Sequence, residues 1–144
     1  MTMIFLFSAR SGDLSAEDSA HAGMMVGRIF VPGFEQWSEQ EKLEFAERID
    51  HPVRKTAHAS EYAVLALLAA GAVIGKKTTL RAGILVPLAV AAAYAATDEI
   101  HQLFVDGRSG QISDVLLDSA GALTGLLLLA GIRIWLRRRK TYRE

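Results

Sequence analysis

The sequence predicts an all-α fold: a small helical integral membrane bundle with three full transmembrane helices and a partial N-terminal one. With 144 residues the chain is long enough for one domain, predicted to cover residues 1–144. Although 22% of the residues are charged, the charges are confined to a few segments and the stretches between them are apolar. Soluble proteins rarely sustain apolar runs of this length, so the pattern indicates a membrane protein.

The balanced charge of the chain argues against a nucleic-acid partner. The sequence has 16 basic and 16 acidic residues, and its formal net charge is zero. Proteins that bind nucleic acid normally have a clear excess of basic residues. The chain also has no cysteine, which excludes thiolate and disulfide chemistry. The sequence leaves the cofactors and the oligomeric state undecided.

The first nine residues form a short apolar run, MTMIFLFSA, which Arg10 ends. Nine helical residues cover only about half of the ~30 Å of hydrocarbon in a bilayer. The run also lacks the basic start and the cleavage site of a signal peptide. Two interpretations remain: the end of a first span that begins upstream, which we favour, or a half-inserted anchor.

Residues 10–52 are predicted to form an outer loop with two short interfacial helices. The first helix is expected to follow Ser15 and to end before Pro32. The second is expected to begin at Ser38, which together with Glu41 forms a capping box ahead of apolar residues at helical spacing. An amphipathic helix of this kind typically lies on the membrane surface. The plainer interpretation is a solvated loop with two local helices.

Three apolar stretches are each long enough to cross a bilayer as a helix, which requires roughly 20 mostly apolar residues. They are residues 53–75, 80–98 and 112–136. The connection between the first two spans and the tail, residues 137–144, are both rich in Lys and Arg. Two spans separate these basic segments, so they share one side of the membrane, and the positive-inside rule predicts that this side is the cytoplasm. The loop formed by residues 10–52 then faces outward.

Each predicted span has a stripe of polar side chains near its outer end. Ionisable groups inside membrane helices are costly and normally face the bundle interior or water. Three stripes that meet at one level therefore predict a polar pocket, which opens outward at the level of the lipid headgroups. By helical spacing the stripes are Lys55, His58, Glu61 and Tyr62 on the first span, Tyr94, Asp98 and His101 on the second if its helix continues, and Asp114 and Asp118 on the third. Gly121 and Gly125 share the face of Asp114 and Asp118, and their spacing predicts a small-residue contact that allows close approach of another helix.

The predicted pocket combines groups suited to acid–base catalysis with groups suited to anion binding. The candidate catalytic residues are His58, Glu61, Asp98, Glu99 and His101. The candidate substrate-binding residues are Lys55, Tyr62, Gln102, Arg108, Asp114 and Asp118. Among these, Arg108 and Lys55 are suited to hold a phosphate. Oxygen and imidazole groups of this kind also bind divalent metals, but the sequence has no specific metal signature, which leaves the metal undecided.

A purely structural interpretation accounts for the same residues one at a time. A single histidine is more often a hydrogen-bonded structural residue than a ligand. Asp114 and Asp118 are suited to capping a helix N-terminus, and Arg108 to a turn. Lys55 and Arg54 are suited to anchoring their helix at the headgroups. Under this interpretation the polar cluster only fixes the packing of the helices.

Four polar motifs resemble the VanZ-like family in order and spacing, and the resemblance covers about residues 1–130. The motifs are KTAHASEY at 55–62, AATDEIHQLF at 95–104, GRSG at 107–110 and DVLLDSAG at 114–121. The resemblance implies a multi-pass protein of the bacterial cytoplasmic (inner) membrane, linked by the family name to teicoplanin resistance. It implies no defined reaction. Members of this family begin with a complete first span, which supports an upstream start.

Three functions remain as hypotheses. The first is an enzyme that acts on a membrane lipid or a lipid-linked component of the cell envelope. The second is a non-catalytic membrane protein that binds or masks an envelope target and whose polar cluster is structural. The third, a proton-coupled transporter, is disfavoured because the polar residues lie at one end of the spans and no inverted repeat is visible.

Overall fold

A computed structural model describes residues 12–73, 75, 78–105 and 110–141, and it describes side chains from residue 19 to residue 139. Four long α-helices and one short 3-10 helix make up most of these residues, and no strand occurs among them. The predicted all-α fold is confirmed. The apolar run at residues 1–9, the connection residues Lys76 and Lys77, and Arg108 lie outside the described residues.

The four helices follow one another with short connections. Helix α1 spans Gly12–Phe30, and the 3-10 helix spans Phe34–Gln36. Helix α2 spans Glu39–Val73, α3 spans Ala82–Gln102 and α4 spans Ile112–Thr141.

Helices α2, α3 and α4 are each long and apolar enough to cross a membrane, which confirms the prediction of three such helices. Large apolar side chains are exposed on all three, among them Leu68, Leu85 and Leu128. Exposed leucines in such numbers suit a surface that faces lipid.

Helix α2 begins at the predicted capping box. The backbone N–H and the hydroxyl of Ser38 each donate a hydrogen bond of 2.8 Å to Glu41 Oε2. In return, the backbone N–H of Glu41 donates to Ser38 Oγ at 3.3 Å. These reciprocal bonds satisfy donors that the first turn of a helix leaves without partners.

The structure differs from the expectation that a separate helix ends before the span begins near residue 53. Helix α2 continues for 35 residues and includes Pro52. A proline removes one backbone donor and crowds the preceding turn, but it ends a helix only when no other interaction supports the chain. The hydroxyl of Thr56 donates a hydrogen bond of 2.7 Å to the carbonyl oxygen of Pro52, one turn later. No glycine stands between Ser38 and Pro52 to end the helix.

The chain divides into two compact units. The first unit comprises Met1–His58 and Ile100–Gly110, and the second comprises Ala59–Glu99 and Gln111–Glu144. The first unit has an aromatic core around Phe34, which is only 2% exposed. The Phe34 ring lies 5.3 Å from the Trp37 ring and 5.5 Å from the Phe45 ring, between ring centres. Such tilted and edge-on contacts are favourable for aromatic pairs.

The second unit is a bundle of closely packed helices with a core of small side chains. Ala66, Ala91 and Ala122 are completely buried, one on each of α2, α3 and α4. An alanine occupies little volume, so these positions allow the helix backbones to approach one another closely. The predicted small-residue contact is confirmed at Gly125, where an added β-carbon would lie 3.2 Å from the β-carbon of Ala63.

Candidate functional site

The first component of the site is Tyr62 on α2, whose side chain is completely buried. Leu65 and Ala66 are also buried, and their spacing of three and four residues from Tyr62 defines the inner face of the helix. The Tyr62 ring lies 6.3 Å from the Tyr94 ring on α3, between ring centres. Glu61 precedes Tyr62 at the edge of this face and is partly exposed.

Helix α3 contributes two buried carboxylates. Asp98 and Glu99 are 4% and 7% exposed. Asp98 follows the buried residues Ala91 and Ala95 at intervals of seven and three, so the same inner face continues to the end of the helix. The sequence predicted a polar stripe that includes His101 only if the helix continued past Asp98, and α3 does continue to Gln102.

Helix α4 contributes Asp118, which is 1% exposed. It lies one turn before Gly121, on the face that also contains the buried residues Ala122 and Leu126. Asp118 is within electrostatic range of four other carboxylates: those of Glu61, Asp98, Glu99 and Asp114. We refer to these five acidic residues as the carboxylate cluster. Tyr62 is also within electrostatic range of the cluster members Asp98, Glu99 and Asp118.

One hydrogen bond joins the end of α3 to the start of α4. The backbone N–H of Gln111 donates to Glu99 Oε2 at 2.7 Å, across twelve residues of sequence. Gln111 in turn accepts a hydrogen bond of 2.9 Å from the backbone N–H of Asp114, in the first turn of α4. An acidic side chain in the first turn of a helix is favoured by the helix dipole, so the position of Asp114 has a structural explanation as well.

Within the site, the phenolic oxygen of Tyr62 and the Oδ1 oxygen of Asp118 are buried and have no hydrogen-bond partner among the described residues. Leaving a buried polar group without a hydrogen bond costs about 1–3 kcal/mol, so such groups are rare in folded proteins. Both atoms therefore have capacity to bind water or a ligand.

Crowding of the carboxylates determines what the site can do chemically. Like charges at short range oppose one another, so each proton or cation that enters the carboxylate cluster stabilises it. A phenol such as that of Tyr62 is able to donate or accept a hydrogen bond next to these acids. The arrangement is suited to holding and transferring protons. Among the described residues, no group of three or more His, Cys, Asp or Glu side chains has the geometry to hold a metal ion.

Other predicted site residues belong to the first unit or lie outside the described residues. Lys55, His58 and His101 belong to the first unit and are partly exposed. Gln102 belongs to the same unit and is 5% exposed. Arg108 lies outside the described residues.

A polar network in the first unit was not identified from the sequence as part of a site. The hydroxyl of Ser19 donates a hydrogen bond to Asp50, which also forms an ion pair with Arg54. The spacing of four residues between Asp50 and Arg54 is a local signal for such a pair. Ser19 is buried and 31 residues distant from Asp50, so no local pattern could have revealed its contact.

Comparison with known protein families identifies the family of this chain. A protein-family model described as VanZ/LLP1 matches residues 1–135, a range that contains the whole carboxylate cluster. No curated protein and no solved structure matches the chain.

Proposed function

The chain belongs to the VanZ/LLP1 family of membrane proteins, and from this premise we propose that it is an enzyme acting on a lipid-linked component of the cell envelope. The proposal includes the bacterial cytoplasmic membrane as its location, with the basic tail in the cytoplasm and the carboxylate cluster facing outward. The substrate headgroup would then reach the cluster from the outer face. A role in teicoplanin resistance enters the proposal through the family name.

The observation that carries the proposal is the burial of Asp118 and Tyr62 beside Asp98, since one oxygen of Asp118 and the phenolic oxygen of Tyr62 have no hydrogen-bond partner among the described residues. A purely structural network is expected to satisfy its own hydrogen bonds, because unsatisfied buried groups destabilise the fold. The oxygens of Tyr62 and Asp118 lack such bonds among the described residues. Groups held in this state are typical of sites whose partner is a substrate or a water molecule.

The roles within the site follow from the chemistry of the groups. Glu61, Asp98 and Glu99 would act as general acid and base on the bond that is broken in the substrate. Asp118 and Tyr62 would hold the substrate oxygen by hydrogen bonds. The proposal also includes roles assigned from the sequence. His58 and His101 would transfer protons, and Lys55 and Arg108 would bind a phosphate. Gln102 and Asp114 would contact the substrate.

The experiment that tests the proposal compares lipid-linked envelope precursors in membranes from cells that express the protein and from cells that do not. Mass spectrometry of extracted lipids should reveal a precursor that decreases and a product that accumulates with the wild type. The Asp98→Asn variant preserves the shape of the side chain and removes its basicity, so conversion should fall by at least about a hundredfold. Glu47→Gln makes the same chemical change at an exposed position of α2 and should convert like the wild type.

Teicoplanin susceptibility of the same strains provides a second readout. If Asp98→Asn protected cells from teicoplanin as well as the wild type does, and the lipid precursors did not change, the proposal of an enzyme would be contradicted. In that event the protein acts as a non-catalytic binder that masks an envelope target, and the carboxylate cluster serves only the packing of the helices.

A further inference from the structure

The second unit contains a cavity of about 470 Å³ near the start of α3. Its lining includes Gly83, which precedes Asp98 by fifteen residues on α3, or about 22 Å along the helix. The cavity therefore lies far from the carboxylate cluster. Its lining residues include Thr78, Gly83, Leu126, Ala130, Arg133 and Arg137.

The wall that α4 contributes to the cavity changes from apolar to cationic along its length. Leu126, Ala130, Arg133 and Arg137 are spaced by four, three and four residues, which places all four on one face of the helix. Leu126 and Ala130 are 1% and 9% exposed, whereas both arginines are exposed. From Leu126 to Arg137 the helix rises about 16 Å. A phospholipid has the same profile, with a charged phosphate followed by an apolar chain.

The opposite wall of the cavity is held in place by hydrogen bonds of the turn before α3. Thr79 Oγ1 accepts a hydrogen bond of 3.2 Å from the backbone N–H of Ala82 and so caps the start of the helix. The Thr78 hydroxyl donates to the carbonyl oxygen of Val73 at 3.1 Å and accepts from the N–H of Gly75 at 2.9 Å. These bonds stabilise the described residues of the turn, Thr78 and Thr79, which contribute to the lining of the cavity.

We propose that this cavity binds one anionic phospholipid, with the phosphate on Arg133 and Arg137 and an acyl chain along Leu126 and Ala130. The planar guanidinium group of arginine matches the geometry of phosphate oxygens. Basic pockets between membrane helices bind anionic lipid headgroups in this way. Leu127, Leu128 and Ile132 lie on other faces of α4, and their exposed apolar side chains are suited to contact with the bilayer. The site uses no residue of the carboxylate cluster and is independent of the proposed enzyme activity.

Native mass spectrometry of the detergent-purified full chain tests this inference. The protein is titrated with phosphatidylglycerol and with phosphatidylcholine of the same acyl chains. The wild type should retain one phosphatidylglycerol with at least tenfold preference. In Arg133→Gln/Arg137→Gln the affinity for phosphatidylglycerol should fall roughly thirtyfold, because each basic residue near an anionic lipid contributes a factor of about five.

A matched pair of arginines serves as the control. Arg138→Gln/Arg139→Gln removes the same charge from exposed positions that do not line the cavity, and this variant should bind phosphatidylglycerol nearly as the wild type does. If both double variants lost the same affinity for phosphatidylglycerol, the lipid would be attracted to the basic tail in general. That result would overturn the proposal. Equal binding of the two phospholipids by the wild type would overturn it as well.

The apolar half of the site has its own test. Ala130→Phe fills the cavity and leaves both arginines in place, so binding of phosphatidylglycerol should weaken. Millimolar inorganic phosphate should not displace the lipid from the wild type, because phosphate makes no contact with Leu126 or Ala130. Full displacement by phosphate would identify a free anion as the ligand and overturn the lipid proposal. The arginine variants change exposed side chains, so they decide the question even where Ala130→Phe does not fold.

Discussion

Gly121 on α4 lies directly against the backbone of Ala59 on α2: a β-carbon at position 121 would sit 2.2 Å from the carbonyl oxygen of Ala59. No real β-carbon approaches another heavy atom that closely, so any side chain at this position must push the two helices apart. Asp118 lies one turn before Gly121 on the same helix face. The contact therefore also sets the distance of Asp118 from α2.

Gly121→Ala should destabilise the protein by about 1–3 kcal/mol, the usual cost of overpacking a well-packed interior. Unfolding in detergent, followed by circular dichroism, measures this change. Gly131→Ala is the matched control because an added β-carbon there would meet no atom within 4 Å. The control should be neutral or stabilising by up to about 1 kcal/mol, since alanine favours helix more than glycine does. Equal stability of the two variants would contradict the close contact.

Tyr62→Phe should separate the functional role of the phenol from its structural role. The hydroxyl has no hydrogen-bond partner among the described residues, so its removal should leave the unfolding free energy unchanged or raise it by about 1 kcal/mol. Tyr62→Ala should instead cost about 3–5 kcal/mol, because it creates a cavity in the core. If the proposed function is correct, Tyr62→Phe lowers the conversion of the lipid precursor while the fold stays intact. A stable variant with full conversion would remove Tyr62 from the proposed site.

Ser19 and Asp50 should be energetically coupled. A double-mutant cycle with Ser19→Ala and Asp50→Ala is expected to give a coupling energy of about 0.5–3 kcal/mol, because the hydrogen bond involves a charged group in a partly buried setting. The ion pair between Arg28 and Glu35 is the control. Its side chains are 63% and 67% exposed, and its coupling should stay below about 1 kcal/mol. A cycle without measurable coupling would show that the two residues do not interact in solution.

The absence of cysteine from the chain allows a clean test of the proposed orientation. Ser113→Cys and Arg138→Cys each place one thiol at an exposed position near opposite ends of α4. A membrane-impermeant maleimide should label Ser113→Cys in intact cells and Arg138→Cys only after the cells are permeabilised. The expectation rests on the basic tail, which the positive-inside rule assigns to the cytoplasm. The reverse labelling pattern would invert the orientation and place the carboxylate cluster on the cytoplasmic side.

Sequence patterns identified the helices better than their ends. The capping box at Ser38 predicted the start of α2 correctly, because the motif satisfies backbone donors within one turn. The same sequence did not reveal that α2 continues past Pro52 into the apolar segment. Whether a proline ends a helix depends on the interactions that support the surrounding turns, and these are not visible in the local pattern.

By itself the sequence determined the fold class and the three helices able to span a membrane. Those features depend on hydropathy and on the period of the helix, which are properties of the local sequence. Only the tertiary structure decided that Asp98, Glu99 and Asp118 are buried together, and that Ser19 meets Asp50. It also decided that Gly121 contacts the backbone of Ala59. Such pairings depend on which helix faces meet and how closely they pack, and the spacing of residues along one helix cannot specify either.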